Sequence, residues 1–341
     1  MNGNNDGRLA AFDGLRGIAA MAVMLYHVGN FYDVAGPFMR GYLLVDLFFL
    51  LSGFVLALSA EPRFAGGWTT TAFVRARIKR LWPMIVVGAL LGALSFGWRN
   101  GWDDVPVYFV FGLSLLPLIA PFGRGQLYPL NPPQWSLLFE VAANLLHGLV
   151  LRRLGDRALL VFVAISGAAL IWAAYTMGSN TCGPYAATWY LGLPRVAFAY
   201  ALGVWMGRRH SEGASGIPVR YSVVLLLPLL AMVTASAIQN AVWLVDSLIV
   251  VVAFPLIVWL AASAIVPAGA ERWLDRLGII SFPLYTVHVP IVALLAAISP
   301  SALSLAASIV ASLTGSWVLA AALERRRVRA PSKALMMEFA R

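Results

Sequence analysis

Residues 42–60 read YLLVDLFFLLSGFVLALSA, a run broken by one formal charge, Asp46. A helix of about 20 such residues rises about 30 Å, the thickness of a bilayer's hydrocarbon core. A helix on the surface of a soluble domain alternates an apolar stripe with a polar one. This stretch has no polar stripe, so it predicts a helix surrounded by lipid and protein.

The same texture recurs on both sides. Apolar runs long enough to cross a bilayer fall at 11–31, 42–60, 81–98, 134–151, 157–177, 186–207, 221–238, 241–262, 279–298 and 301–323. The expected fold is therefore all-α, a polytopic integral membrane bundle of about ten transmembrane helices. It forms a single domain over 1–341, with a short cytoplasmic tail at 324–341. Composition agrees, because 60% of the 341 residues are hydrophobic and 12% charged, against about 25% charged in a soluble domain.

A net charge of +10 raises nucleic acid as a partner, and the placement of the 25 Lys and Arg residues argues against it. They come in bursts between apolar runs. With the N-terminus inside, the connections predicted cytoplasmic hold Arg63, Arg75, Arg77, Lys79 and Arg80, then Arg152, Arg153 and Arg157, then Arg208, Arg209 and Arg220, then Arg272 and Arg276. The tail adds Arg325, Arg326, Arg327, Arg329, Lys333 and Arg341, whereas the external connections hold Arg40, Arg99 and Arg124. Positive charge resists translocation, so this asymmetry sets both termini in the cytoplasm and the protein in the inner cell membrane.

Val105 to Phe122 is apolar enough to compete as a further span, but Pro106, Pro117 and Pro121 interrupt it and counting it would reverse every later loop. It reads instead as an outer, interfacial or re-entrant segment. Trp68 to Arg80 reads as a basic helix on the cytoplasmic surface. Asp6 and Arg8 precede the first apolar run and no small-residue cleavage pattern follows it, so that run is expected to be retained. Cys182 is the only cysteine and can form no intramolecular disulfide.

Ionisable groups inside spans cost about 2.5 to 3.5 kcal/mol each on insertion scales and face protein or a water-filled cavity. Here they are Arg16, His27, Asp46, Glu140, His147, Arg195, Asp246 and His288. Arg16 and His27 are eleven residues apart, which returns to within about 20° of one helix face after a rise of roughly 16 Å. Asp13 sits one turn before Arg16, where it can pair with it. Depth puts Asp46, Glu140 and Asp246 toward the level of His27, and Arg16, Arg77 and Arg80 at the inner end. That field suits an anionic ligand from the cytoplasm and a hydroxyl compound nearer the outer face. A histidine beside a carboxylate could deprotonate the hydroxyl.

These residues also carry a resemblance. Phe12-Asp13-Gly14-Leu15-Arg16-Gly17 with His27, Val45-Asp46-Leu47-Phe48-Phe49 through Leu51-Ser52-Gly53-Phe54, Arg77 with Arg80, Trp135-Ser136-Leu137 with Glu140, and Leu277-Gly278 with Ser281, Tyr285, His288 and Pro290 come in the order seen in the acyltransferase-3 family. The chain resembles that family over nearly its whole length. Leu44 and Asn144 depart from it, standing where a glycine and an aromatic residue are usual.

The resemblance implies O-acylation, commonly acetylation, of a cell-surface or exported carbohydrate, with acyl-CoA as co-substrate and no permanently bound cofactor. On that reading His27, Arg16 and Glu140 are catalytic, and Arg77 and Arg80 bind the acyl donor. Asp46, Ser136, Trp135, Tyr285 and His288 line the acceptor side. Expected partners are membrane lipid, acyl-CoA and a carbohydrate or other hydroxyl-bearing acceptor such as a macrolide, and not nucleic acid. No His/Cys cluster has zinc-ligand spacing, so no metal is expected. The competing class is a transporter or flippase for a lipid-linked glycan, since charges at mid-membrane depth also serve translocation. The sequence has no internal symmetry in support of it.

Overall fold

The computed structural model describes residues 6–119 and 125–329, so Pro121, Arg124, Lys333 and Arg341 lie outside the described residues. The described chain is almost wholly helical. In order the helices are α1 (Asp6–Tyr32), α2 (Leu44–Ala65), α3 (Thr70–Asn100), α4 (Val105–Leu113), α5 (Gln134–Leu149), α6 (Asp156–Met177), α7 (Gly192–Ser211), α8 (Tyr221–Ala237), α9 (Val242–Leu248), α10 (Phe254–Ala261), α11 (Ala268–Ile298) and α12 (Ala302–Arg329). A π-helical turn at Ile249–Ala253 joins α9 to α10. Among the described residues the only sheet pairs Val219–Arg220 in parallel with Ala264–Ile265.

Seven described helical segments are long and apolar enough to cross a membrane: Gly41–Ala65, Thr70–Asn100, Gln134–Arg153, Asp156–Met177, Val242–Ala261, Ala268–Ile298 and Ala302–Arg325. That is fewer than the ten runs read from sequence. The others correspond to α1, α7 and α8. Helix α8 has 17 residues and is short for a span. Helices α1 and α7 carry Asp13 and Arg16, and Arg195, Arg208 and Arg209. A helix packed inside a bundle can hold such charges against protein partners, and Arg195 is buried beside Asp46.

Three boundaries also move. The basic stretch before the third span is no separate surface helix, because from Thr70 it runs unbroken into α3, capped where the Thr69 hydroxyl accepts from the Ala72 N–H. Helix α11 begins at Ala268, well before the apolar run at 279, and α12 continues to Arg329, into the stretch expected to be tail. Charged residues end a hydropathy run without ending a helix. The segment beginning at Val105 forms the nine-residue α4, too short to span.

Two helix pairs organise the bundle. Helices α2 and α7 meet backbone to backbone, since a Cβ at Gly53 would collide with the Tyr200 carbonyl and one at Gly203 with the Leu50 carbonyl. Only glycine permits that approach. Helices α1 and α11 are equally close, with Gly17 against Leu277 and Gly278 against Asp13. Pro290 cannot donate to the carbonyl of Thr286 four residues back. The Asn131 side-chain amide donates to that carbonyl instead at 2.8 Å, tying the loop before α5 to α11.

Ion pairs reinforce the α2–α7 contact and tie further elements to it. Arg195 on α7 donates to both oxygens of Asp46 on α2, the shorter bond being 2.6 Å, and to the carbonyls of Cys182 and Tyr42. Asp246 on α9 accepts from Arg40 at 2.8 Å, from the Tyr42 hydroxyl at 2.7 Å and from the Asn180 N–H at 2.9 Å. Glu61 on α2 accepts from Arg208 on α7 at 2.7 Å and stands 3.2 Å from His147 on α5. Asn144, a departure from the family pattern, accepts from the Tyr200 hydroxyl at 3.1 Å.

Candidate active site

Helices α1, α2, α3, α5, α11 and α12 enclose a cavity of about 710 Å³. Arg16, Arg77, Lys79 and Arg80 line it, with Asp13, Glu140, Asp275 and Glu324 as the acidic groups. The cations arrive by helix geometry. Arg77 and Arg80 are three apart on α3 and so share a face, while the tight α1–α11 contact puts Arg16 and Asp275 on the wall of the same cavity.

Two of these arginines are tethered within the wall. Arg16 donates to Asp13 Oδ1 at 3.1 Å, the one-turn pairing expected from their spacing. Arg77 donates from Nη2 to Glu140 Oε1 at 2.7 Å, while its Nε is buried without a hydrogen-bond partner. An anion entering here meets a preformed guanidinium, and charge-assisted bonds to such a group are about twice as strong as neutral ones.

Ser136 on α5 and Tyr285 on α11 also line the cavity, their hydroxyls hydrogen-bonded at 2.7 Å. Phe48, another lining residue, packs edge-on against Tyr285 with ring centroids 5.7 Å apart. Past Tyr285 the His288 ring follows at 6.0 Å, and the His27 ring lies 5.1 Å from His288. Neither histidine lines the cavity. His288 is fully buried and His27 is partly exposed.

The remaining residues singled out in the sequence lie elsewhere. Asp46 turns away from the cavity into its ion pair with Arg195. Trp135 is wedged between Phe49 and Phe139, with the Arg195 guanidinium 5.3 Å from its ring. The expected carboxylate beside His27 is absent among the described residues, none of which has a carboxylate in hydrogen-bond contact with that ring. The reason is that Asp46, Glu140 and Asp246 are each held by an arginine. Lys79, Asp275 and Glu324 were missed as lining residues. They sit where a hydropathy scan sees loop or tail, and only the continuation of α3, α11 and α12 past the apolar runs brings them in.

A bundle of apolar helices around a cavity lined by four basic and four acidic side chains defines a membrane protein with a charged internal site, and the sequence narrows the class further. Residues 9–321 match the family model described as Acyltransferase domain, so the chain belongs to the acyltransferase-3 family and is an acyltransferase. It is 27% identical over 327 residues to Acyltransferase MdmB of Streptomyces mycarofaciens, covering 84% of this chain and 79% of that protein. It is also 34% identical over 186 residues to the protein called Protein 2 in picA locus of Rhizobium radiobacter, covering 49% of this chain and 95% of that one. No solved structure matches the chain.

Proposed function

We propose that this acyltransferase moves an acyl group, acetyl in the first instance, from cytoplasmic acyl-CoA to a hydroxyl of a cell-surface or exported carbohydrate. The observation that carries the reading is the gathering of Arg16, Arg77, Lys79 and Arg80 around one cavity whose wall also holds the Ser136–Tyr285 hydroxyl pair. Phosphates are bound by guanidinium and ammonium groups through charge-assisted hydrogen bonds. CoA joins several of them to a long thioester arm. In this account the phosphates rest among the basic residues, Glu140 holds Arg77 in place, and the arm extends past Tyr285 toward His27.

The chemistry is acyl transfer with a histidine base. The acceptor oxygen attacks the thioester carbonyl carbon while His27 takes its proton, the C–S bond breaks, and the departing CoA sulfur recovers that proton from the imidazolium. Arg16 is about 16 Å along α1 from His27, so it acts on the donor and not on the attacking hydroxyl. With α1, α7 and α8 counted as crossings alongside the seven segments named above, the bundle crosses the inner membrane ten times. An even number returns both termini to the cytoplasm, on the side where acyl-CoA is made.

Mass spectrometry of surface glycans from cells with and without the protein tests the reading. It predicts an added acyl mass on one glycan only where the protein is present. Identical glycan masses in both would remove carbohydrate as the acceptor.

A further inference from the structure

A base that takes a proton through one ring nitrogen needs its other nitrogen held, usually by a carboxylate or a carbonyl. Among the described residues His27 has no carboxylate in that place, and the rings beside it are those of Tyr26 and His288. His288 has an unusual state of its own. Its Nδ1 lies 2.8 Å from the Leu284 carbonyl oxygen one turn back on α11, and since a carbonyl only accepts, Nδ1 carries the proton. The neutral ring then has its lone pair on Nε2. That Nε2 is fully buried and has no hydrogen-bond partner.

Buried polar atoms are nearly always satisfied, so an orphan beside a reactive centre asks for an explanation. The two rings are 5.1 Å apart between centroids and inclined at 47°. Gly17 and Gly278 let α1 and α11, the helices that carry the two histidines, lie against each other. No hydrogen bond joins the two rings as they stand, so the contact requires the His27 ring to turn about its side-chain torsions.

We infer that His288 is the positioning residue for His27, accepting the N–H of one His27 nitrogen on its Nε2 so that the other faces the acceptor hydroxyl as a base. The inference rests on the acyl-transfer reading for its chemistry and on the orphaned Nε2 for its geometry. The Leu284 carbonyl anchors the relay: it fixes the His288 tautomer, which fixes the His27 tautomer. A histidine thus stands where a carboxylate commonly does. It adds no negative charge to a site that must receive an anionic donor.

The test uses the whole protein in lipid bilayers, labelled with isotopic nitrogen in its four histidines. Nitrogen NMR reads the tautomer of each ring, with H27A and H288Q assigning the signals. The expected wild-type spectrum has His288 protonated on Nδ1 and His27 in one tautomer. H288F, which keeps a ring without an acceptor, should turn His27 into a mixture of tautomers, and H288Q, whose amide oxygen can accept, should keep one. His288 protonated on Nε2 in the wild type, or a His27 signal unchanged in H288F, would overturn the inference. Should H288F fail to fold, the wild-type and H288Q spectra still decide it.

These spectra need no acceptor, so they stand apart from the success or failure of the acyl-transfer reading. In membrane vesicles supplied with acetyl-CoA, H288F should lower the maximal rate of acetyl-ester formation at least tenfold with the KM for acetyl-CoA unchanged, and H288Q should recover most of it. A raised KM with an unchanged maximal rate would instead place His288 in donor binding and overturn its positioning role.

Discussion

Arg77 on α3 and Glu140 on α5 are joined at 2.7 Å inside the wall of the cavity, the carboxylate taking one guanidinium nitrogen and leaving Nε unpartnered. The pair is reachable from the cavity, with Arg77 13% and Glu140 20% exposed in their side chains, so it holds an arginine ready without sealing it off.

That arrangement predicts a division between the two residues. Arg77→Ala removes a charge-assisted contact worth about 1.5–3 kcal/mol and should raise the KM for acetyl-CoA at least tenfold. Glu140→Gln keeps a hydrogen-bond acceptor and should change it by only a few-fold. Initial rates in membrane vesicles over a range of acetyl-CoA concentrations check this, and an unchanged KM in Arg77→Ala combined with Arg80→Ala would leave both arginines as anchors of topology.

Asp46 predicts a different failure. Arg195 is 1% exposed and bonded to both Asp46 oxygens. Removing one partner of such a pair strands the other charge, at a cost of about 3–5 kcal/mol. Asp46→Ala should therefore lower the thermal unfolding midpoint in detergent sharply, while any folded fraction keeps the wild-type KM values. A stable Asp46→Ala protein with an altered acceptor KM would return Asp46 to the acceptor side.

The α2–α7 contact predicts sensitivity at a residue with no chemistry. A side chain at Gly53 has to displace the Tyr200 backbone, and overpacking costs typically about 1–3 kcal/mol. Gly53→Val should unfold at lower temperature, whereas Gly36→Val, with open space around its Cβ position, should not. Equal midpoints would show that the helices can part at little cost.

Topology is testable because the native Cys182 is fully buried and contributes little background. Cysteines at Arg63 and Glu212 should react with an impermeant maleimide only in inside-out vesicles, and one at Asp103 only in intact cells. The opposite pattern at any of them would break the ten-crossing count.

Much of this site was legible in the sequence, and what was not has an identifiable cause. Helix periodicity puts Arg16 and Asp13 together on one turn and Arg77 with Arg80 on one face, because those relations are local. The partner of each carboxylate depends on which helices touch. Asp46 faces Arg195 from another helix, and Glu140 faces Arg77, so the carboxylate expected at His27 is engaged elsewhere. The neighbour it has instead, His288, follows from α1 lying against α11, two helices from opposite ends of the chain. Lys79 and Asp275 were not read as cavity-lining residues for another reason: charged residues close a hydropathy window while the helix itself continues.

The central claim is that His27 takes the proton of the acceptor hydroxyl. The most direct measurement compares acyl-ester formation from acetyl-CoA in vesicles holding equal amounts of folded wild-type and H27A protein. The account predicts that H27A forms no ester above the level of vesicles lacking the protein. Ester formation by H27A at the wild-type rate would contradict it.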